Sequence, residues 1–345
     1  MATTPDPGVV ETNIDQSELA TVVIPARNEE RFIGRCLESV LAQTHQNIEI
    51  LVVDGDSDDR TRAIVTEIAA RDPRVRLLDN PRRIVPSALN VGLAEAKGKW
   101  FVRIDAHATI GPTYVERALA HLRSGRCGAV GGRVDPVGET AAGRAIAVAM
   151  CSKFGIGNSV HHYGVEPVET DHVPFPAYSS ELVRELGGWN EQLVVNQDFE
   201  FDWRVVQSGV RVLFDPALSI TYFGQQSVRG VFRQFRRYGR GKVKVITMHP
   251  RSVRARHFAA PALVGALVLS AGFLASGRGR VGAALPLAYT AGIGVATVAG
   301  MHELEGDRRA QSLLPLAFMA MHLGWGLGFW EGVSAIRPGA FQSRR

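Results

Sequence analysis

Three apolar stretches near the C-terminus, Phe258 to Ala275, Val281 to Met301 and Gln311 to Trp330, contain no charged residue. Each approaches the ~20 residues a helix needs to cross the hydrocarbon core of a bilayer. The region must therefore form membrane spans or helices buried inside a soluble core. Three such stretches in succession, with little polar sequence to cover them, favour the membrane. Their glycines and prolines are compatible with it, because neighbouring groups re-satisfy the backbone that these residues free. Charge points the same way. Pro216 to His302 holds no Asp or Glu, and only Glu303, Glu305, Asp307 and Glu331 lie beyond Asp215. The formal charge of +5 thus belongs to a basic, apolar C-terminal part, which implies a membrane or nucleic-acid surface as partner.

Residues 229 to 256 carry ten Arg or Lys and no acid, with Phe232, Phe235 and Tyr238 interleaved. One reading is a basic helix on anionic headgroups, worth roughly 1 kcal/mol per cation near the surface. The other is a phosphate-binding segment at an active site. By the positive-inside rule this run stays cytoplasmic. Later loops (Arg278/Arg280, Arg308/Arg309, and Arg337 with Arg344 and Arg345) are nearly balanced, so re-entrant or interfacial helices remain open. Cys36, Cys127 and Cys151 form no CxxC pair, which fits a reducing compartment and gives no disulfide framework or zinc site. The first twenty residues lack a signal-peptide core, so the N-terminal part is expected in the cytoplasm.

The N-terminal part alternates strand and helix signals. Ala20-Thr-Val-Val-Ile-Pro, Ile48-Glu-Ile-Leu-Val-Val, Val75-Arg-Leu-Leu and Trp100-Phe-Val-Arg-Ile read as buried strands. Helical spacing over Arg31 to Ala42, a second helix to about Ala70, and a third over Ala88 to Ala96 lie between them. That alternation predicts a parallel, doubly wound sheet, in which ligands bind beyond the carboxyl ends of the strands. Pro25 to Glu29, Asp54 and Asp105 all fall there.

Residue chemistry alone leaves several of these positions open. Asn28 and Glu29 can hydrogen-bond a nucleotide or cap a helix. Asp54 can accept the N–H of a base such as uracil or simply close a turn. Asp105 and His107, two residues apart, can both reach one divalent ion (Mn²⁺ or Mg²⁺) that neutralises a diphosphate leaving group. They are equally compatible with a capping aspartate and a surface histidine. Asp198 and Glu200 precede Trp203 to Gly209, which reads as a helix. Asp198 is either a helix cap or the carboxylate that takes the acceptor's proton in an inverting sugar transfer.

The ordered segments VVIPARNEE, VVDGDSDDRT, NPRRIVPSALNVGLAEAKG, FVRIDAHA, GGWNEQLVVNQDFEFDWRV and FRQFRRYGRGKV resemble family 2 inverting glycosyltransferases of the GT-A fold, in particular succinoglycan-biosynthesis glucosyltransferase-like members. The resemblance spans about residues 20 to 245. It implies an α/β, Rossmann-like, doubly wound mixed sheet followed by C-terminal transmembrane helices. The implied division is a tail at 1–18, a catalytic domain at 19–228, a basic interfacial segment at 229–257, a membrane region of about three spans at 258–335, and a basic tail at 336–345.

It also implies roles. Pro25, Arg27, Glu29 and Asp54 line the base and ribose pocket, with Asn90 near the donor. Asp105 bridges ribose or metal, and His107 takes the second place of the usual Asp-x-Asp metal motif. Asp198 is the catalytic base with Glu200 close by. Arg236, Arg237 and Tyr238 cover diphosphate and acceptor, while Gly131-Gly-Arg133 and Asp171-His172 border the acceptor side. Two positions depart from the family pattern: His107 stands for an aspartate, and Gln197 for a frequent glutamate.

The implied partners are a nucleotide-sugar donor (a UDP-sugar), a lipid-linked sugar acceptor and the plasma membrane, with the catalytic domain cytoplasmic. Rival readings are a polyprenyl-phosphate sugar synthase, an inactive nucleotide-sugar-binding scaffold, and a nucleic-acid-binding protein. The apolar stretches and the lack of a nucleic-acid motif argue against the last.

Overall fold

The computed structural model describes residues 16–157 and 159–336, so the expected tails fall almost entirely outside the described residues. The chain forms two compact units. Unit 1 comprises Met1–Val134, Gly164–Gln192 and Gln197–Tyr222, and unit 2 comprises Asp135–Tyr163, Leu193–Asn196 and Phe223–Arg345.

The first unit opens with β1 (Ala20–Ala26), α1 (Ile33–Leu41), β2 (Ile48–Asp54), α2 (Thr61–Ala69), β3 (Val75–Asp79), α3 (Val85–Glu95) and β4 (Trp100–Arg103). β5 (Ala108–Ile110), α4 (Tyr114–Arg123) and β6 (Ala129–Val137) follow. The chain then makes the excursion α5 (Ala141–Met150) and α6 (Lys153–Ile156) before β7 (Val168–Thr170), β8 (Ala177–Ser179), α7 (Ser180–Glu185), α8 (Gln197–Gln207) and β9 (Val212–Phe223). The strands form one mixed sheet in the order β3-β2-β1-β4-β8-β6-β9-β5, with β7 paired to β9. β1, β2, β3 and β4 are mutually parallel, as their β-branched runs predict, and β8 then pairs antiparallel with β4.

β1 and β2 are buried along their whole length. Helices cover a parallel sheet on both faces, so its strands read as continuous apolar runs. α1 supplies Ile33, Cys36, Leu37 and Val40 to the same core as Val22, Ile24, Ile50 and Val52. α3 begins at Val85 rather than Ala88, because Pro86 sits in its first turn, where a missing N–H costs nothing. α8 begins at Gln197, six residues before the Trp203 start expected from spacing. At the far end of the unit, the buried Asp215 accepts from Arg117 (2.5 Å) and bonds His121 (2.7 Å), tying β9 to α4. Burial alone would raise its pKa. The bonds from His121, Arg117 and the Ala217 N–H outweigh that and hold it at about 2.

Unit 2 contains α5, α6, α9 (Val228–Met248), α10 (Ala259–Ala275), α11 (Gly279–Gly300) and α12 (Arg308–Ser334). The helices spanning Ala255–Ala275, Gly279–Leu304 and Arg308–Ser334 are each long and apolar enough to cross a membrane. Their core joins Ala145, Ile146 and Ala149 of α5 to Leu314, Ala317 and Phe318 of α12 and to Val231 and Phe235 of α9.

Candidate active site

In unit 1 the loops beyond β1 and β2 are stitched together. Asn28 adopts a left-handed φ of 57°, which Asn tolerates. Its N–H donates to Ser57 Oγ at 2.9 Å and its Oδ1 accepts from the Asp58 N–H at 3.0 Å. The Glu29 N–H donates to Thr61 Oγ1 at 2.7 Å. Asp54, read from sequence as open to a base N–H, is fully buried. Its Oδ1 accepts the Ser57 hydroxyl at 2.5 Å, and its Oδ2 accepts the Ser57 N–H at 3.1 Å and Arg62 at 2.9 Å. Pro25 lies within the buried β1, and the exposed Arg27 donates to the Arg83 carbonyl at 3.5 Å.

Beyond β4 the charges converge. Arg103 ends the strand with 5% of its surface exposed. Its Nε and Nη2 donate to Asp105 Oδ1 and Oδ2 at 3.0 and 3.3 Å. The Asp198 carboxylate acts on the same guanidinium. Burial opposes its charge, but Asp105 and Asp198 prevail and raise its pKa, so the cation is permanent. Sequence reasoning missed Arg103. The available signal was a lone arginine inside the apolar run Trp100-Phe-Val-Arg-Ile.

His107 bonds Glu29 Oε1 through Nδ1 at 2.8 Å. Burial disfavours its protonation, but the Glu29 bond and the charges of Glu29 and Asp105 outweigh this and raise its pKa. In the neutral ring, Nδ1–H donating to Glu29 leaves Nε2 as the lone-pair nitrogen, the orientation that metal-bound histidines take from a carboxylate. Among the described residues no group of three or more His, Cys, Asp or Glu could hold an ion. A magnesium-type ion bound to a diphosphate needs only one or two protein donors. Asp105 is one such oxygen donor, though Arg103 competes for it, and His107 could add an imidazole nitrogen.

Three expected residues sit differently. Asp198 lies inside the first turn of α8 rather than ahead of the helix, partly exposed, with its own Oδ1 accepting from the Phe199 N–H at 2.8 Å. Glu200, expected on the acceptor side, turns inward. It is buried and paired with Arg204 at 2.9 Å, whose guanidinium also holds the Gly188 carbonyl at 2.6 Å. Asn90, expected beside the donor, spends its amide on the Gly187-Gly-Trp loop. Its Nδ2 donates to Trp189 O and Glu191 Oε1 at 2.9 and 3.0 Å, and its Oδ1 accepts the Trp189 N–H at 2.8 Å. Gly188 permits this approach. Its φ is +67°, and a Cβ there would stand 2.5 Å from Asn90 Oδ1.

One turn beyond Asp198, on the same helix face, lies Asp202, a second residue the sequence did not reveal. It is fully buried and accepts from Tyr178 (2.6 Å) and the Val173 N–H (3.2 Å). It also bonds His172 Nδ1 at 2.7 Å, and that imidazole packs edge-on against Phe199. Asp171-His172 is thereby anchored to the helix that carries Asp198. Arg236, Arg237 and Tyr238 belong to α9 in unit 2, where Arg236 pairs with Glu331 (2.5 Å) and Tyr238 Oη accepts from Gln234 Nε2 at 2.9 Å. Gly131 and Gly132 lie in β6, where a Cβ on Gly132 would collide with the Leu218 carbonyl.

The family model "Glycosyl transferase family 2" matches residues 21–162. A relative from Rhizobium meliloti (strain 1021) is 32% identical over 328 residues, covering 93% of this chain and 97% of the relative. The chain therefore belongs to glycosyltransferase family 2 and is an enzyme of that class. The relative is the succinoglycan biosynthesis protein ExoA, to which this chain is similar along nearly its whole length. A second relative, the dolichyl N-acetyl-alpha-D-glucosaminyl phosphate 3-beta-D-2,3-diacetamido-2,3-dideoxy-beta-D-glucuronosyltransferase of Methanococcus voltae, is 25% identical and covers 64% of this chain and 72% of its own. Among solved structures, the mannosyltransferase PcManGT from Pyrobaculum calidifontis, in complex with GDP-Man and Mn²⁺, shares the fold with a TM-score of 0.60. It is 22% identical and covers 89% of this chain and 86% of that one. The GT-A fold expected from the sequence is thus the one observed.

Proposed function

We propose that this glycosyltransferase moves a sugar, with inversion, from a nucleoside-diphosphate donor (a UDP-sugar) to a lipid-linked acceptor at the plasma membrane. The product serves cell-envelope or exopolysaccharide biosynthesis, and the catalytic unit faces the cytoplasm. The observation that carries this reading is Arg103, a buried cation shared by a strand-end carboxylate, Asp105, and a helix-start carboxylate, Asp198. Carboxylates from two separate elements meeting one fixed cation beyond the strand ends are arranged for two tasks rather than one. A displacement needs one group for the leaving side and another for the incoming hydroxyl.

In this reading Asp198, beside Arg103, removes the acceptor hydroxyl's proton as that oxygen attacks the anomeric carbon. Asp105 and His107 hold a divalent ion, which supplies charge neutralisation for the departing diphosphate. Glu29 orients the His107 ring, and Arg27, Pro25 and Asp54 shape the base pocket. Asp202 fixes His172 at the acceptor side. The membrane acceptor is supported by the three apolar helices and by the lipid-linked sugar in the second relative's name.

The test is transfer by detergent-purified protein from a panel of UDP- and GDP-sugars, with Mn²⁺ or Mg²⁺. Lipid-linked sugars and bare polyprenyl phosphate are the two acceptor arms. Incorporation that needs both metal and Asp198 supports the reading. Incorporation into polyprenyl phosphate alone replaces the acceptor. Donor binding without turnover on either arm makes the protein a nucleotide-sugar scaffold.

A further inference from the structure

Unit 1 fixes the His172 imidazole from several directions, yet the transfer chemistry proposed above gives that ring no task. Asp202 is fully buried and meets three donors. Tyr178 Oη reaches its Oδ1 at 2.6 Å, while the Val173 N–H and His172 Nδ1 reach its Oδ2 at 3.2 and 2.7 Å. A backbone N–H can only donate, so Oδ2 is an acceptor and Nδ1 carries the proton. Burial first, and Asp202 after it, raise the Tyr178 pKa well above its ordinary value, so that hydroxyl keeps its proton and donates. In the neutral ring Nε2 is then the lone-pair nitrogen, and it points away from Asp202.

The backbone that carries His172 is equally fixed. Val173 is fully buried, and Gly131 of β6 makes room for it. A Cβ on Gly131 would lie 2.8 Å from Val173 and 2.6 Å from the Pro174 carbonyl. Tyr114 Oη donates to the Phe175 carbonyl at 2.7 Å, and the Arg103 N–H to the Pro176 carbonyl at 3.1 Å. Phe199 meets the imidazole edge-on, with centroids 5.9 Å apart. A ring locked by packing and hydrogen bonds on rigid elements presents its Nε2 edge in one direction.

Two observations separate this pair from a brace. His121 and Asp215, a comparable pair in the same unit, expose 7% and 1% of their side chains, whereas His172 exposes 18% above a carboxylate at 0%. The second is position. Asp202 follows Asp198 by four residues, and helix residues so spaced have Cβ atoms about 6 Å apart on one face. Arg103 and Asp198 both act on Tyr178, whose hydroxyl bonds Asp202. His172 thus stands near the carboxylate proposed to take the acceptor's proton.

We propose that His172 binds the acceptor: Nε2 accepts a hydrogen bond from a hydroxyl neighbouring the one that Asp198 deprotonates. Asp202 is the positioning residue that keeps this nitrogen an acceptor. Asp198 and His172 together present two hydrogen-bond acceptors. That arrangement matches two hydroxyls of a sugar and mismatches a phosphate monoester, whose oxygens are themselves acceptors. The acceptor is on this ground a sugar-bearing lipid rather than bare polyprenyl phosphate. The inference rests on the role given to Asp198 and deepens it.

The tautomer is read by ¹⁵N NMR of histidine-labelled, detergent-purified full-length protein, with His172→Gln providing the assignment. An unprotonated Nε2 is expected. An Nε2–H ring in the wild type would overturn the proposal whatever the transfer assay gives. Kinetics are then measured with polyprenyl-diphosphate-linked monosaccharides. His172→Ala should raise the acceptor KM about ten-fold, as loss of one hydrogen bond does, with kcat changed far less. His172→Gln, whose Oε1 reaches the place of Nε2, should recover most of that loss. A merely bracing histidine predicts lower stability in both variants and an unaltered acceptor KM, which would sink the idea. Asp202→Leu removes the acceptor for Nδ1–H and should give mixed tautomers with the same rise in KM. If it does not fold, the alanine–glutamine comparison decides. Transfer to polyprenyl phosphate alone would also overturn the proposal. Absence of transfer to any acceptor removes the transfer reading instead. The ¹⁵N signal of His172, titrated with the same lipid-linked sugars, then decides, since contact must shift it and a flat titration rejects the contact.

Discussion

The two units handle positive charge in opposite ways. In unit 1 the arginines that matter are buried or half-buried and committed to named carboxylates: Arg103 to Asp105, Arg117 to Asp215, Arg204 to Glu200. In unit 2 the α9 cations form an exposed stripe, with Arg236 bonded to Glu331. A buried pair demands one geometry and is costly to break from one side, whereas exposed cations contribute mainly by number and are screened by salt. Charge in unit 1 therefore specifies atomic positions, and charge in unit 2 specifies a surface.

The contrast can be broken or sharpened by substitution. The largest effect is expected for Asp198→Asn, which removes the proposed base while keeping its shape. Transfer should fall about 10³-fold with an unchanged melting temperature, since general-base catalysis is worth roughly 10² to 10⁴-fold. Near wild-type turnover would return Asp198 to a helix cap.

Arg103→Met leaves Asp105 without its buried partner. By the cost of breaking such a pair, stability should drop by about 3 kcal/mol in denaturant titration, together with a loss of transfer. A variant as stable as wild type would mean that the carboxylates of unit 1 do not depend on the guanidinium.

Acidification tests the same idea without mutation. Asp215 has its folded pKa depressed, so its contribution is present above its ordinary value near 3.8 and is lost as pH falls towards about 2. Unit 1 should lose about 2 kcal/mol over that window from this residue. Asp215→Asn should flatten the acid limb of the stability profile. An unchanged limb would locate the acid sensitivity elsewhere, Glu18 being the next candidate, since its pKa is also drawn down to about 2.

The smallest effect is expected in unit 2. Arg229→Gln and Lys244→Gln should each change stability by no more than about 0.5 kcal/mol, as exposed substitutions do. A drop of several kcal/mol would show that these cations are structural partners after all.

Legibility in the sequence followed the same division. The parallel strands were readable because burial on both faces makes them continuous β-branched runs, and the strand ends then located Asp54, Asp105 and His107. The start of α8 was hidden because Phe199, Phe201 and Trp203 alternate with polar residues, a strand-like period that tertiary packing overrides. Arg103 and Asp202 escaped notice because a buried charge looks like any other until its partner, distant in sequence, is known. Glu200 and Asn90 show the converse, since polar side chains in motif segments also brace the structure: Glu200 pairs with Arg204 and Asn90 holds the Trp189 loop. The apolar length of α12 was legible as that of a membrane-length helix, while its glycines at 324, 328 and 332 show only in the structure which neighbour it packs against.

The position of α5 in the chain carries a consequence for biosynthesis. Its apolar face, Ala145, Ile146 and Ala149, packs against Leu314, Ala317 and Phe318, which leave the ribosome more than 160 residues later. At roughly 5 to 20 residues per second, that face waits on the order of ten to thirty seconds for its partner. A short amphipathic helix left open for that long beside an emerging membrane hairpin is a natural client for a chaperone or the bilayer surface. Slowing translation near the 3′ end of the message would lengthen the exposure.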